Sequence, residues 1–261
     1  METQATGGRL LATIGPLNTV LWVALFAAVY QGTGSTASVL VGVEAAGLRA
    51  PSLQLQYEIT GAPTRTLRVA PDGASARVLT RHGLQPGTYR IRVRATEPGT
   101  GRTATAFQDI QVPDLTPGLS RLSMSDALLT ASEVTGVAHA DEDDDRALPV
   151  LGQPPTTRRV FSRDEKLEVH AEIYEQQPPE FEFDSQLRVV TRVTAADGTT
   201  VFNTEDTGTS EALDGNRWGY EHSTLVPIST FIPGDYTVHV IAETMWDVPS
   251  TVSRSVPITL K

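Results

Sequence analysis

Leu84-Gln85-Pro86-Gly87-Thr88-Tyr89-Arg90-Ile91-Arg92-Val93-Arg94-Ala95 is the stretch on which the fold turns. Its pattern returns as Phe231-Ile232-Pro233-Gly234-Asp235-Tyr236-Thr237-Val238-His239-Val240-Ile241-Ala242. Each copy runs from an apolar anchor through a Pro-Gly pair to a Tyr and then alternates strictly. Pro presets φ and Gly accepts conformations closed to other residues, so the pair makes a tight turn. The alternating residues then feed one face of a strand into a core. Two copies predict an all-β chain of two tandem β-sandwich domains, of immunoglobulin or fibronectin III type. Tyr89 and Tyr236 are expected to be largely buried, each with its hydroxyl bonded to backbone as in a tyrosine corner.

Working outward, Leu53-Gln54-Leu55-Gln56-Tyr57-Glu58-Ile59 alternates, and Pro71-Asp72-Gly73 turns the chain between two short strand segments. Pro98-Gly99-Thr100-Gly101 leads into Thr105 to Val112, which gives about seven strands in the first half. In the second half Leu167 to Tyr174 and Leu187 to Val193 alternate, Asp197-Gly198 is a hairpin turn, and Val252 to Leu260 closes the sheet. The expected organisation is a tail at 1–17, a first sandwich at 18–114, a linker with an acidic tip at 115–155 and a second sandwich at 156–261. Within that linker Leu122, Met124, Leu128 and Leu129 are able to pack against one of the domains.

The chain has 261 residues, 39% hydrophobic and 20% charged, which suffices for two cores without covalent staples. It has no cysteine, so neither disulfides nor thiolate metal sites can form. A net charge of −10 repels phosphate backbones and anionic lipid, and argues against nucleic acid as a partner.

The long apolar run is Val20-Leu21-Trp22-Val23-Ala24-Leu25-Phe26-Ala27-Ala28-Val29-Tyr30. It falls short of the roughly 20 residues of a membrane span, so no membrane-spanning segment is expected. Its length suits a signal-peptide core, yet only Arg9 precedes it, offset by Glu2. The rival reading is a buried first strand, hairpinned through Gln31-Gly32-Thr33-Gly34-Ser35 to Ala37–Glu44.

Leu84-x-Pro-Gly-x-Tyr89, Val112-Pro113-Asp114-Leu115, Leu122-Ser123-Met124-Ser125-Asp126-Ala127-Leu128-Leu129-Thr130, Arg159-Val160-Phe161-Ser162-Arg163-Asp164-Glu165-Lys166-Leu167-Glu168-Val169 and the strand from Pro233 together resemble a bacterial family. It is the C-terminal region of acidobacterial-type proteins related to the von Willebrand factor type A domain. Thr6-Gly7-Gly8-Arg9 looks like the tail of such a domain. The metal-binding Asp-x-Ser-x-Ser loop of type A domains is absent, so their metal-dependent adhesion transfers to no residue here. The resemblance implies an extracytoplasmic accessory region (periplasmic, cell-surface or secreted) with an upstream type A domain as its partner.

Three groups of residues are candidates for chemistry. Asp141, Asp143 and Asp145 alternate within Asp141–Asp145 and could hold calcium. The helix-loop-helix calcium pattern fails, because Arg146 and Gly152 stand where it needs Gly and Glu; the other reading is a solvated linker tip. Trp218, Tyr220 and Trp246 lie in loops or at strand ends, where they could stack on sugar rings, anchor a protein partner, or simply plug the end of the second core. The histidines, His82, His139, His170, His222 and His239, show no metal-ligand spacing, and His170 and His239 are out of phase with their apolar neighbours, which predicts surface positions. Glu180 and Glu182 are not set apart as acid and base, and no nucleophile elbow or phosphate loop occurs. The expected function is a non-catalytic interaction or spacer module; the alternative is a carbohydrate-binding module or the accessory domains of a secreted hydrolase.

Overall fold

The computed structural model describes residues 20–32, 34–116, 122–132, 138–139, 154–175, 186–213, 217–244 and 249–261. The described residues are almost entirely strand. The first half contributes β1 (Trp22–Gln31), β2 (Ala37–Ala46), β3 (Leu53–Ile59), β4 (Arg65–Val69), β5 (Ser75–Leu84), β6 (Gly87–Glu97) and β7 (Arg102–Val112). Next come β8 (Leu122–Met124), β9 (Leu128–Ala131), β10 (Ala138–His139) and β11 (Val160–Phe161). The second half adds β12 (Leu167–Glu175), β13 (Gln186–Ala195), β14 (Thr200–Thr209), β15 (Glu211–Leu213), β16 (Arg217–Val226), β17 (Gly234–Thr244) and β18 (Thr251–Leu260).

These strands make four sheets in two sandwiches. In the first, β1-β2-β5-β10 faces β4-β3-β6-β7. Inward residues of both sheets, among them Val39, Val41, Leu53, Leu55, Tyr57, Ile91 and Val93, form its core. In the second, β15-β16-β12-β8, with β9 also on β12, faces β11-β18-β17-β13-β14 over Leu167, Val169, Leu187, Val189, Val238 and Val240. The signature strands are β6 and β17. Their alternation is read out as expected, with Ile91, Val93 and Ala95 buried in one and Val238, Val240 and Ala242 in the other. Gly198 turns β13 into β14 at φ +86, a conformation that disfavours any side chain.

The apolar run is β1, paired antiparallel with β2 from Trp22↔Ala46 to Gln31↔Ala37. It reads as a continuous hydrophobic run because it is covered on both faces. Val23 and Val29 belong to the first core, whereas Phe26, Ala28 and Tyr30 form a third cluster with Leu40, Leu79 and Leu128. Leu128 arrives on β9, which pairs with β12, so this cluster lies between the sandwiches. Burying a side chain such as Phe26 or Leu40 there stabilises the contact by roughly 1.5–3 kcal/mol.

Part of the expected linker is sheet. β8 and β9 pair in succession along the same edge of β12, through Ile173↔Met124 and Val169↔Leu129. Leu122, Met124, Leu129 and Ala131 sit in the second core. β10 runs parallel to β5 and so extends the first sandwich. The second sandwich is therefore assembled from residue 122 onward rather than from 156. No local alternation announces strands this short; their pairing is set by β12.

Candidate functional site

Trp218 and Tyr220 alternate on β16 and share a face. Tyr220 turns inward. It packs against the second core and lies across Gly208 of β14, where a Cβ would overlap its ring. Its hydroxyl donates to Asp206 Oδ2 at 2.6 Å. Burial, then this bond and the nearby negative charge, push its pKa up to about 12. Tyr220 is thus a core plug, and of the two described aromatics Trp218, 40% exposed where β16 meets β15, is the accessible one. Trp246 lies outside the described residues, as do Asp141, Asp143 and Asp145.

The histidines depart from expectation. His170 is 6% exposed, not a surface residue. It does lie on the outer face of its sheet, but that face is covered. Burial lowers its pKa against the opposing pull of Glu168. Its Nε2 is 3.4 Å from a Glu168 oxygen, and Ser223 Oγ donates to the other oxygen of that carboxylate. Although His170 is the cross-strand neighbour of Ser223, the serine hydroxyl donates to the carboxylate rather than to the imidazole, an arrangement that does not activate it as a nucleophile. His222 faces the second core, 3% exposed. Its Nε2 is 2.7 Å from Thr191 Oγ1 and 3.0 Å from Thr224 Oγ1, and burial lowers its pKa to about 4. His239 is half-buried between Thr194 and Ser255 hydroxyls. Among the described residues no group of three or more His, Cys, Asp or Glu could hold a metal ion.

A shallow cleft of about 270 Å³ opens in the second sandwich beside Arg159, Asp235, Tyr236 and Thr259. Arg159 Nη1 donates to the carbonyls of Thr156 and Arg158, and Asp235 accepts from Thr259 Oγ1 at 2.6 Å. These groups are spent on structure and leave no base beside a nucleophile.

The densest buried polar chemistry joins the two sandwiches. Asp126, in the three-residue break between β8 and β9, exchanges bonds with β1: its N–H donates to Val29 O at 3.0 Å and its Oδ2 accepts from Val29 N at 2.9 Å. Gln31 N donates to the Tyr174 hydroxyl at 3.0 Å, which donates onward to Glu172 at 2.6 Å. Glu44 accepts from Thr156 Oγ1 at 3.0 Å, Thr157 Oγ1 at 2.7 Å and Thr157 N at 3.3 Å. None of these residues was singled out from sequence. The available signal was the lack of alternation in β1, which marks a strand covered on both faces; β12 alternates in sequence and carried no such mark.

No family model matches the chain, and no curated protein matches it. Among solved structures it is similar to dimeric latent PorU from Porphyromonas gingivalis (14% identity, TM-score 0.33, 94% of this chain). The chain spans 20% of the length of that structure. It is also similar to the fibronectin(III)-like modules of Clostridium thermocellum CbhA (12% identity, TM-score 0.25, 91% of this chain and 94% of that one). A third is a two-domain fibronectin type III segment from chicken tenascin (15% identity, TM-score 0.22, 88% and 97%).

Proposed function

We propose that this chain is a non-catalytic interaction and spacer region of an extracytoplasmic bacterial protein, accessory to an upstream type A adhesion domain. The observation that carries the reading is the junction. Tyr174, Asp126 and Glu44 are committed to bonds between the sandwiches, and a third apolar cluster lies beneath them. A unit stiffened in this way transmits position or force; a flexible tether would not need it. Fractionation of the source bacterium with an antibody to this chain tests the proposal. The expected result is a protease-accessible band longer than 28.1 kDa. A cytoplasmic, protease-protected band would overturn it.

A second reading, a carbohydrate-binding module, is favoured by the exposed Trp218 alone. A single aromatic supplies one stacking surface, so Trp218→Ala should abolish retention on a neutral glycan if this reading holds.

A further inference from the structure

Charge is unevenly distributed along this chain. Residues 20–116 carry nine arginines against six carboxylates, in a molecule whose net charge is −10. The first sandwich is therefore positive and the remainder carries the whole negative excess. Within that sandwich the arginines are not scattered. Arg90, Arg92 and Arg94 alternate along β6 and point away from the core formed by Ile91, Val93 and Ala95. Register places Arg94 beside Gln56 of β3 and Thr105 of β7, and Arg68 of β4 beside Gln54. The other sheet of this sandwich spends its outer face on the contact with β9 and β12, so this sheet faces the opposite way. Among the described residues nothing covers it.

We infer that the outer face of β4-β3-β6-β7 binds an anionic polysaccharide of the uronate class, an assignment that rests on the non-catalytic interaction reading above. Two of the four arginines are already committed. Arg90 makes a bidentate pair with Asp109 at 2.6 and 2.7 Å, and Arg92 reaches Glu58 at 3.5 Å. Arg68 and Arg94 are exposed and have no ion-pair partner among the described residues. A guanidinium fork presents parallel donors that match a carboxylate. Gln54, Gln56, Thr66 and Thr105 surround the two free forks with amides and hydroxyls suited to sugar hydroxyls.

The spacing and the composition both select the ligand. Successive outward positions along a strand repeat at about 7 Å, and Arg68 lies two strands across and two residues along from Arg94, about 12 Å away. Such thinly spread cations suit a polymer with a carboxylate on each sugar or on alternate sugars. Duplex DNA carries a charge every ~1.7 Å and single strands are gripped through exposed aromatic platforms. The aromatic on this face, Phe107, is half-buried, with the Arg90 guanidinium 5.2 Å from its ring centre. A protein partner would want an exposed apolar anchor at the centre of the patch, whereas Phe107 is half-buried and lies under the Arg90 guanidinium. The acidic second sandwich lies on the far side, and its field is screened beyond about 10 Å at 0.1 M salt.

The test is affinity electrophoresis of the full chain through gels containing polygalacturonate, its methyl-esterified form, or a thymidine oligonucleotide. Polygalacturonate should retard the protein and the neutral ester should not. R68Q/R94Q, whose side chains hold no partner, should melt as the wild type and bind about five- to tenfold more weakly. R68K/R94K should recover part of the loss, and raising salt from about 0.05 to 0.5 M should weaken wild-type binding. Absence of retardation, equal retardation by the ester, or unchanged binding by R68Q/R94Q would overturn the inference. Tighter binding of the oligonucleotide would redirect it to nucleic acid, and self-association lost in R68Q/R94Q would redirect it to a second copy of the chain. Release of new reducing ends from polygalacturonate would instead overturn the non-catalytic reading on which it rests.

Discussion

The hydroxyl of Tyr236 donates to the carbonyl oxygen of Ile232 at 2.7 Å, four residues back across the Pro-Gly turn. Tyr89 makes the equivalent bond to Gln85 at 2.9 Å. The repeated sequence pattern is thus a repeated device: the ring packs beside the turn while its hydroxyl satisfies a carbonyl that the turn leaves free. The copies differ in burial. Tyr236 is 5% exposed and lies 5.4 Å from the Phe231 ring, whereas Tyr89 is only half-buried, short of the burial its pattern suggested.

That difference sets the first expectation. Tyr236→Ala should cost roughly 3 kcal/mol or more, as aromatic truncations in cores do, and Tyr89→Ala clearly less. Urea titration of both variants against wild type measures the gap. Equal losses would mean that the bond to the turn, common to both, outweighs core packing.

The second expectation concerns the boundary of the second sandwich. A fragment of residues 122–261 should unfold cooperatively, because it keeps β8 and β9 on the edge of β12. A fragment of residues 156–261 should aggregate or melt without a sharp transition, since it lacks Leu122, Met124, Leu129 and Ala131 from its core and leaves β12 unpaired on that side. Near-ultraviolet circular dichroism and a thermal melt decide it; a cooperative 156–261 fragment would show that the edge strands are dispensable.

The third expectation probes the double burial of β1. Gly42 sits opposite Phe26 on β2, and a Cβ there would overlap the Phe26 ring. Gly42→Ala should destabilise by about 1–3 kcal/mol through overpacking. In Phe26→Ala that clash is gone, so the double variant should be less destabilised than the sum of the singles. Strict additivity in denaturant titrations would show that the ring does not rest on this glycine.

Much of the fold is legible in local pattern, and what escapes is what depends on distant chain. The Pro-Gly-Tyr strands and the Asp197-Gly198 hairpin declare themselves because turn chemistry and alternation reside in a few adjacent residues. β8, β9 and β10 do not, since two to four residues cannot establish a period and their partners are remote in sequence. His170 misleads for the same reason. Alternation places it correctly on the face of β12 opposite Val169, but cannot say that the first sandwich covers that face. Trp218 and Tyr220 look alike in sequence; Gly208 and Asp206, on β14 of the facing sheet, make one of them a core residue. Arg94 stands within the opening signature itself, yet the pairing of its neighbours Arg90 and Arg92 with Asp109 and Glu58, which leaves it without a carboxylate partner among the described residues, is a property of the sheet.

The last expectation is an acid-sensitive second core. His222 stays neutral in the fold because burial lowers its pKa to about 4 from an ordinary value of 6.5. Above pH 6.5 neither the folded nor the unfolded chain carries this proton, and the stability is complete. Between about 6.5 and 4 the unfolded chain binds the proton and the folded chain does not, so stability falls as the pH is lowered; below 4 both bind it and this contribution levels off. The span is worth up to about 3 kcal/mol. His170, whose pKa burial also lowers, adds in the same direction. His222→Gln keeps a polar group beside Thr191 and Thr224 but cannot titrate. Its urea midpoint should therefore change less between pH 7 and pH 4.5 than that of the wild type, whatever its absolute stability at pH 7. The carboxylate of Glu97 serves as an internal control. Burial would raise its pKa, but bonds from Thr100, the Arg49 and Ala50 amides and Arg102 outweigh that and hold it at about 2. Its contribution is present above its ordinary value of 4.5 and is lost only as the pH falls below that toward 2. A stability loss that begins only below pH 4.5, with no difference between His222→Gln and wild type above it, would assign the acid sensitivity to carboxylates and remove His222 from the account.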